Sequence, residues 1–381
     1  MAGRCCCAEL QVHMLEPEFA ATPRASDVDV NMERLERLVA FLVLDPDNKA
    51  LRQEGIREAC RRGRWSSARS LIEKGLLNSP SDLDLRVVLA YVEMQEGRVQ
   101  KAHDLLSEEV VQAVPTAQVL RARCLLQLHR VPEALDVCRA RLAAADNDAE
   151  CRGLLALLLC DSGDFEGAAH HAQTALKEVP KQLEARLTLM RLLQRTDPGE
   201  ARAGYLEIVA AHPGCGRAWL ALALLDLASE ELEDAHRSVS EATRCQPDHI
   251  GTWHVLGWVH VLQRDAISAE RAFLHALTLD RSFGETHGAL AVVAAMQGRA
   301  AAARAAMRRA EKLDPYSMAA RYAELLLCMA VDDLDGAQAV LEKALAFPAR
   351  DSGVLYRDLI VQQLQLAKTR PDQRPPGTVL H

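Results

Sequence analysis

The sequence predicts an all-α protein, an α-solenoid of about nine stacked helix-turn-helix units. Three observations carry that expectation. Ala and Leu dominate a chain of 381 residues that is 49% apolar but only 4% aromatic, a balance that favours helices over sheets. Alanine recurs in register at Ala68, Ala102, Ala134, Ala168, Ala201, Ala235, Ala269, Ala303 and Ala337, at intervals of 32 to 34 residues. Each interval holds two stretches of helically spaced apolar residues with a polar turn between them.

Other residues keep step with the ladder. Gly63, Gly97, Gly163 and Gly298 each stand five residues before a ladder alanine, and Pro80, Pro180, Pro213, Pro247 and Pro315 twelve residues after one. The period 250–283 shows the logic. Trp253, Leu256, Gly257 and His260 share helical spacing, "QRDA" makes a turn, and Ala269, Phe273 and Ala276 share one face of a second helix. Gly257 and Ala269 let two backbones approach, while Trp253, Leu256 and Phe273 fill the space around them. A proline at the period's end stops the helix before it.

These residues resemble the tetratricopeptide repeat pattern. Trp253, Leu256, Gly257, Ala269, Phe273 and Ala276 match it in one period. The period before matches through Trp219, Leu222, Ala223, Ala235, Ala242 and Pro247, and the one after through Leu290, Ala291, Ala303, Ala310 and Pro315. The resemblance covers about 49–351. It fades at 115–148, where Arg121 and Asp146 stand at the Leu and Pro positions, and at 318–351, where Glu324 replaces the Leu. The resemblance implies a right-handed superhelix whose first helices line a concave face.

The ends read differently. Residues 1–28 lack periodicity and are expected to be disordered. Residues 29–48 hold a capping helix with Met32, Leu35, Val39 and Leu42 on one face, and 352–369 hold a second, "VLYRDLIVQQLQLAK". The tail 370–381 is expected to be disordered.

Composition narrows the function. A net charge of −8 argues against nucleic acid as a bulk electrostatic partner. The longest apolar run, "GLLALLLC", is too short to insert in a membrane. The opening residues lack a secretory apolar core, and Ala2 excludes a myristoylated glycine. Eleven cysteines, odd in number and without Cys-x-x-Cys, fit a reducing, cytoplasmic setting. Cys5, Cys6 and Cys7 have no His or Cys partner nearby, and no metal or other cofactor is expected. Phosphate loops, nucleophile elbows and His-Glu-x-x-His are absent, so the chain reads as a non-enzyme.

Function is therefore expected on a surface. The inward positions implied by the resemblance change character along the chain. Early ones are polar and basic: Gln53, Arg57, Arg61, Tyr91, Gln95, Arg123, Gln127, Arg191 and Arg195. Later ones are apolar: Leu220, Leu224, Leu227, His254, Trp258, Val261, Val292, Met296, Tyr322, Leu326 and Met329. Such a patch marks either a groove for a protein or peptide partner or a face covered by the C-terminal helix. The favoured reading is a scaffold, of the kind that serves assembly or secretion. The alternatives are a self-associating module and a regulatory subunit. Within this scheme Trp253 is packing and Trp258 is site. The Lys-Asn clamp that some such repeats use for carboxylate tails is not expected, because Gln53, Arg57, Val87, Tyr91, Val119 and Arg123 occupy its positions.

Overall fold

The computed structural model describes residues 28–348 and 355–358, with side chains from residue 34 onward. The segment 1–27, the tail 370–381, and the expected C-terminal capping helix apart from 355–358 lie outside them. Among the described residues every regular element is a helix, and the only extended pairing is an isolated antiparallel bridge between Pro348 and Leu355. The chain is an all-α solenoid built of helix pairs.

Helix Val28–Leu44 comes first. Nine pairs follow. The chain divides after Leu225 into two compact units. The first unit holds the pairs Lys49–Arg61 with Trp65–Asn78, Leu83–Gln95 with Val99–Leu105, Thr116–Gln127 with Val131–Ala144, Ala149–Asp161 with Phe165–Glu178, and Leu183–Leu193 with Pro198–Ala211. Helix Gly216–Ala228 opens the sixth pair and runs through the division, and Leu232–Cys245 completes it. The second unit goes on with Ile250–Leu262 and Ala266–Leu279, Gly284–Met296 and Ala300–Leu313, and Met318–Met329 and Leu334–Leu345. One pair departs from the plan. After Leu105 the chain breaks into a further short helix, Glu108–Ala113, inside the shortened 32-residue period.

The alanine ladder is where the two helices of a pair meet. The first eight rungs, from Ala68 to Ala303, are 0% exposed. Ala337, in the last described pair, is only half-buried. Gly257 shows how tight the meeting is: a Cβ there would lie 2.4 Å from the Phe273 ring, which is itself wholly buried. The glycine admits the ring and the ring fills the gap.

The turns inside the pairs repeat as strictly. Gly63, Gly97, Gly163 and Gly298 are left-handed, as a residue just past a helix end commonly is. The same conformation occurs at His129, Glu230, Arg264 and Asp332, the positions five residues before Ala134, Ala235, Ala269 and Ala337. The backbone closes each turn identically. Arg264 donates to the Val261 carbonyl and Asp265 to that of His260, at 3.0 and 2.9 Å, and Gly298 and Arg299 do the same to Ala295 and Ala294.

The tryptophan at the head of a repeat departs from the expectation of a core ring. Trp253 is half-buried, lies against His275 with ring centroids 4.0 Å apart, and donates its indole N–H to the Pro247 carbonyl at 2.7 Å. It clasps the turn that precedes its own helix. Trp219 reaches Pro213 at 2.9 Å, Arg86 reaches Pro80 at 2.7 Å and His287 reaches Arg281 at 3.0 Å, each six residues back. The position selects an N–H donor of the right length, and Trp is one of three that serve.

Non-glycine residues pay a steric penalty in a left-handed turn. Arg264 is exposed at φ 60°, so Arg264→Gly is expected to stabilise the protein by about 0.5–1 kcal/mol. Gly298→Ala is expected to destabilise it by about 1 kcal/mol. Urea denaturation followed by circular dichroism measures both.

Candidate functional site

The early basic positions do not offer free positive charge. Arg57 pairs with Glu54 at 2.8 Å, and Arg61 pairs with the buried Glu58. Arg123 is held by Glu184 at 2.8 Å with Glu150 at 3.8 Å. Burial opposes its charge, but the two carboxylates outweigh that and raise its pKa. Arg191 pairs with Asp161, and Arg195 lies over the Phe165 ring at 5.2 Å. Tyr91 is buried against Trp65, and Val87 and Val119 are also buried. The sequence showed the cations but not their partners, which come from neighbouring helices.

The later, apolar set divides between the units. Leu220 and Leu224 belong to the first, where Leu224 is 48% exposed. The other nine belong to the second and separate by burial. Val261 and Val292 sit inside a packed cluster with Phe273, Ala289 and Met307, and they present nothing to a partner. This corrects the expectation for those two: the pair packing consumes their whole side chains. Leu227 and His254 are half-buried, and Trp258, Met296 and Leu326 pack partly against the cluster. Tyr322 and Met329 are exposed.

Trp258 is thus not free of the core. Its ring meets Phe273 edge-on at 5.8 Å and Tyr322 at 6.3 Å. Both tryptophans of helix Ile250–Leu262 are half-buried, so the division into one structural and one functional ring is too sharp.

His254, Trp258 and Tyr322 do come together. They line one open recess enclosing about 1130 Å³ of space. His254 and Trp258 stand one helical turn apart. Ile250, Gly251 and Phe283 form its floor beside them, and Glu285, Met318 and Ala319 form the facing side. Tyr356 closes one edge. Its backbone N–H bonds the Phe347 carbonyl at 3.0 Å, next to the Pro348–Leu355 bridge, and this returns the chain to the recess. Phe283, Glu285, Met318 and Tyr356 were missed from sequence. Tyr356 carried one signal, its place 34 residues after Tyr322. Glu285 carried none, because its role is set by the next repeat. Its two carboxylate oxygens accept the backbone N–H groups of Met318 at 3.1 Å and Ala319 at 3.3 Å, which caps helix Met318–Met329 from outside.

His254 shares a 2.7 Å hydrogen bond with the Thr286 hydroxyl. The Phe273 and Phe283 rings flank it at 5.5 and 5.2 Å. Burial among these uncharged groups pushes its pKa down to about 4. The second unit's other buried-leaning histidine, His260, lies edge-on to His236 at 5.1 Å and is also lowered by burial. Among the described residues no cluster of three or more His, Cys, Asp or Glu is placed to hold a metal, and no helix is long and apolar enough to cross a membrane.

Nine pairs of antiparallel helices, locked by a buried small-residue ladder, define a helical-repeat protein. The tetratricopeptide repeat model matches residues 55–117, 190–250 and 255–317, and the chain belongs to that family, whose fold serves as a scaffold for protein–protein interaction. No curated protein matches the sequence. Solved structures do. The human IFIT1 dimer with m7Gppp-AAAA is 15% identical, with a TM-score of 0.57 and 95% of this chain and 94% of that one covered. The human IFIT1 dimer with PPP-AAAA is 14% identical, with a TM-score of 0.56 and 89% and 94% covered. YrrB, described as a TPR protein with an unusual peptide-binding site, is 18% identical, with a TM-score of 0.37 and 46% and 90% covered. At these identities the likeness is one of fold.

The His254 environment has a pH consequence. The unfolded chain takes a proton near pH 6.5, whereas the folded site resists it until about pH 4. Stability from the neutral imidazole is therefore complete above pH 6.5 and is lost as pH falls toward 4. Wild type is expected to lose thermal stability across that window more steeply than His254→Gln. Equal slopes would contradict the assignment.

Proposed function

We propose that the protein is a non-enzymatic scaffold and that the recess of its second unit docks a segment of a protein partner. The observation that supports this most is the gathering of Trp258, Phe283, Tyr322 and Tyr356 around one open hollow in a chain that is only 4% aromatic. Aromatic rings that are partly anchored and partly exposed are the residue types on which interfaces concentrate their binding energy. Met318 adds an adaptable apolar contact. The repeat pattern itself does not call for this set, since Trp258 and Tyr322 lie off the ladder that holds the pairs together.

Chemistry weighs against the other classes. The IFIT1 structures carry RNA, but this recess is lined by one carboxylate and by no Lys or Arg, a poor match to phosphate. The early arginines are already engaged by carboxylates. All eight described cysteines are unpaired, which supports work in a reducing, cytoplasmic compartment. A chaperone-like or assembly-associated role is consistent with such a surface.

Tyr322 makes the cleanest test, because 41% of it is exposed and its loss leaves the buried cluster in place. Affinity capture followed by mass spectrometry is expected to retain a set of proteins with wild type and to lose it with Tyr322→Ser. Trp253→Ala, which alters the turn clasp and not the recess, is expected to retain that set while lowering the melting temperature. Identical captures from wild type and Tyr322→Ser would overturn the proposal.

A further inference from the structure

The recess has an electrostatic character that narrows its occupant. Its walls are ring faces. Trp258 and Tyr322 have centroids 6.3 Å apart with planes inclined at 43°, and Phe283 and Tyr356 stand nearby. The face of an aromatic ring is negative, and a cation is attracted within about 6 Å of its centroid, most strongly by Trp. With the two centroids this close, a single cation can lie within reach of both. Glu285 is the one acidic residue of the lining, and the lining holds no Lys or Arg. The carboxylate is fixed in place by the Met318 and Ala319 N–H groups, one on each oxygen, and a carboxylate has about four lone-pair sites in all.

We propose that this recess recognises a basic side chain, Arg or Lys, carried by a peptide segment of a partner protein. The inference rests on the reading of the recess as a partner-docking site. A basic side chain satisfies both features at once: its charged head meets Glu285 and the ring faces, and its methylene stem covers apolar wall. An acidic segment meets a like charge there, and a wholly apolar one strips water from a carboxylate without replacing it. The hollow is open, and its space of about 1130 Å³ exceeds what one side chain fills, so flanking residues of an extended segment lie in it as well. The chain's net charge of −8 favours encounter with a basic segment.

A displayed library of random octapeptides, selected on the full-length protein, tests this. Enriched clones are expected to share an Arg or Lys at one fixed position with apolar neighbours. A synthetic peptide from the leading clone is expected to lose about tenfold in affinity when that residue becomes norleucine. It is expected to lose about as much on Tyr322→Leu, which keeps the apolar bulk but not the ring. Glu285→Gln, which keeps an acceptor for the helix cap but not the charge, should weaken binding similarly, with a melting temperature near that of wild type. Enrichment of acidic or wholly apolar peptides, or equal binding of the norleucine peptide, would overturn the basic-residue proposal and leave the docking site standing. No enrichment at all would overturn both. Self-association that vanishes in Tyr322→Leu would assign the recess to a second copy of the chain and overturn the proposal too.

Discussion

The close approach of two helix backbones at a buried alanine is the constraint from which the rest of this structure follows. An alanine with no exposed surface at Ala68 and at seven further rungs leaves room for nothing larger than a methyl group. Each pair therefore closes at the same depth. With the depth fixed, the turn between the helices must be short and left-handed, and the same five-residue offset delivers it whether the residue is Gly298 or Arg264. The distance to the preceding turn is fixed as well, which is why Trp253, Trp219, Arg86 and His287 all find a carbonyl six residues back. Packing sets the backbone, and the backbone then selects residues of different chemistry for the same task.

The recess emerges where the repeat leaves freedom. First helices of neighbouring pairs lie side by side, so residues one turn apart on one helix meet those of the next. Trp258 touches Tyr322, two repeats further along the chain, and Glu285 caps the helix that carries Tyr322. These contacts join three successive pairs of the second unit. They also explain why His254 stays neutral: Phe273 and Phe283 shield it, and Thr286 gives it a hydrogen bond without giving it a charge.

The fold was legible from sequence because its constraint is periodic. A spacing near 34 residues can be read along one chain, and it located the pairs, the turns and the buried ladder. The site was legible only in part. Trp258, Tyr322 and His254 stood out as types the pattern does not require, and they share a recess. Val261 and Val292 looked equivalent by register but are buried, since burial depends on what the neighbouring pair presents. The basic early positions misled for a related reason. Glu184 lies 61 residues from Arg123, and a single sequence does not show that pairing. Glu285 was invisible because its partners are backbone groups of the next repeat.

The denaturation of two leucine variants tests the central claim most directly. Ala269 is fully buried at a pair's meeting point, while Ala337, the same rung of the last described pair, is half-buried. If backbone approach at the ladder is what the structure depends on, Ala269→Leu costs about 1–3 kcal/mol of stability. Ala337→Leu then costs less than about 0.5 kcal/mol, as a partly solvated substitution does. Equal effects at the two positions, or no effect at Ala269, would contradict the account.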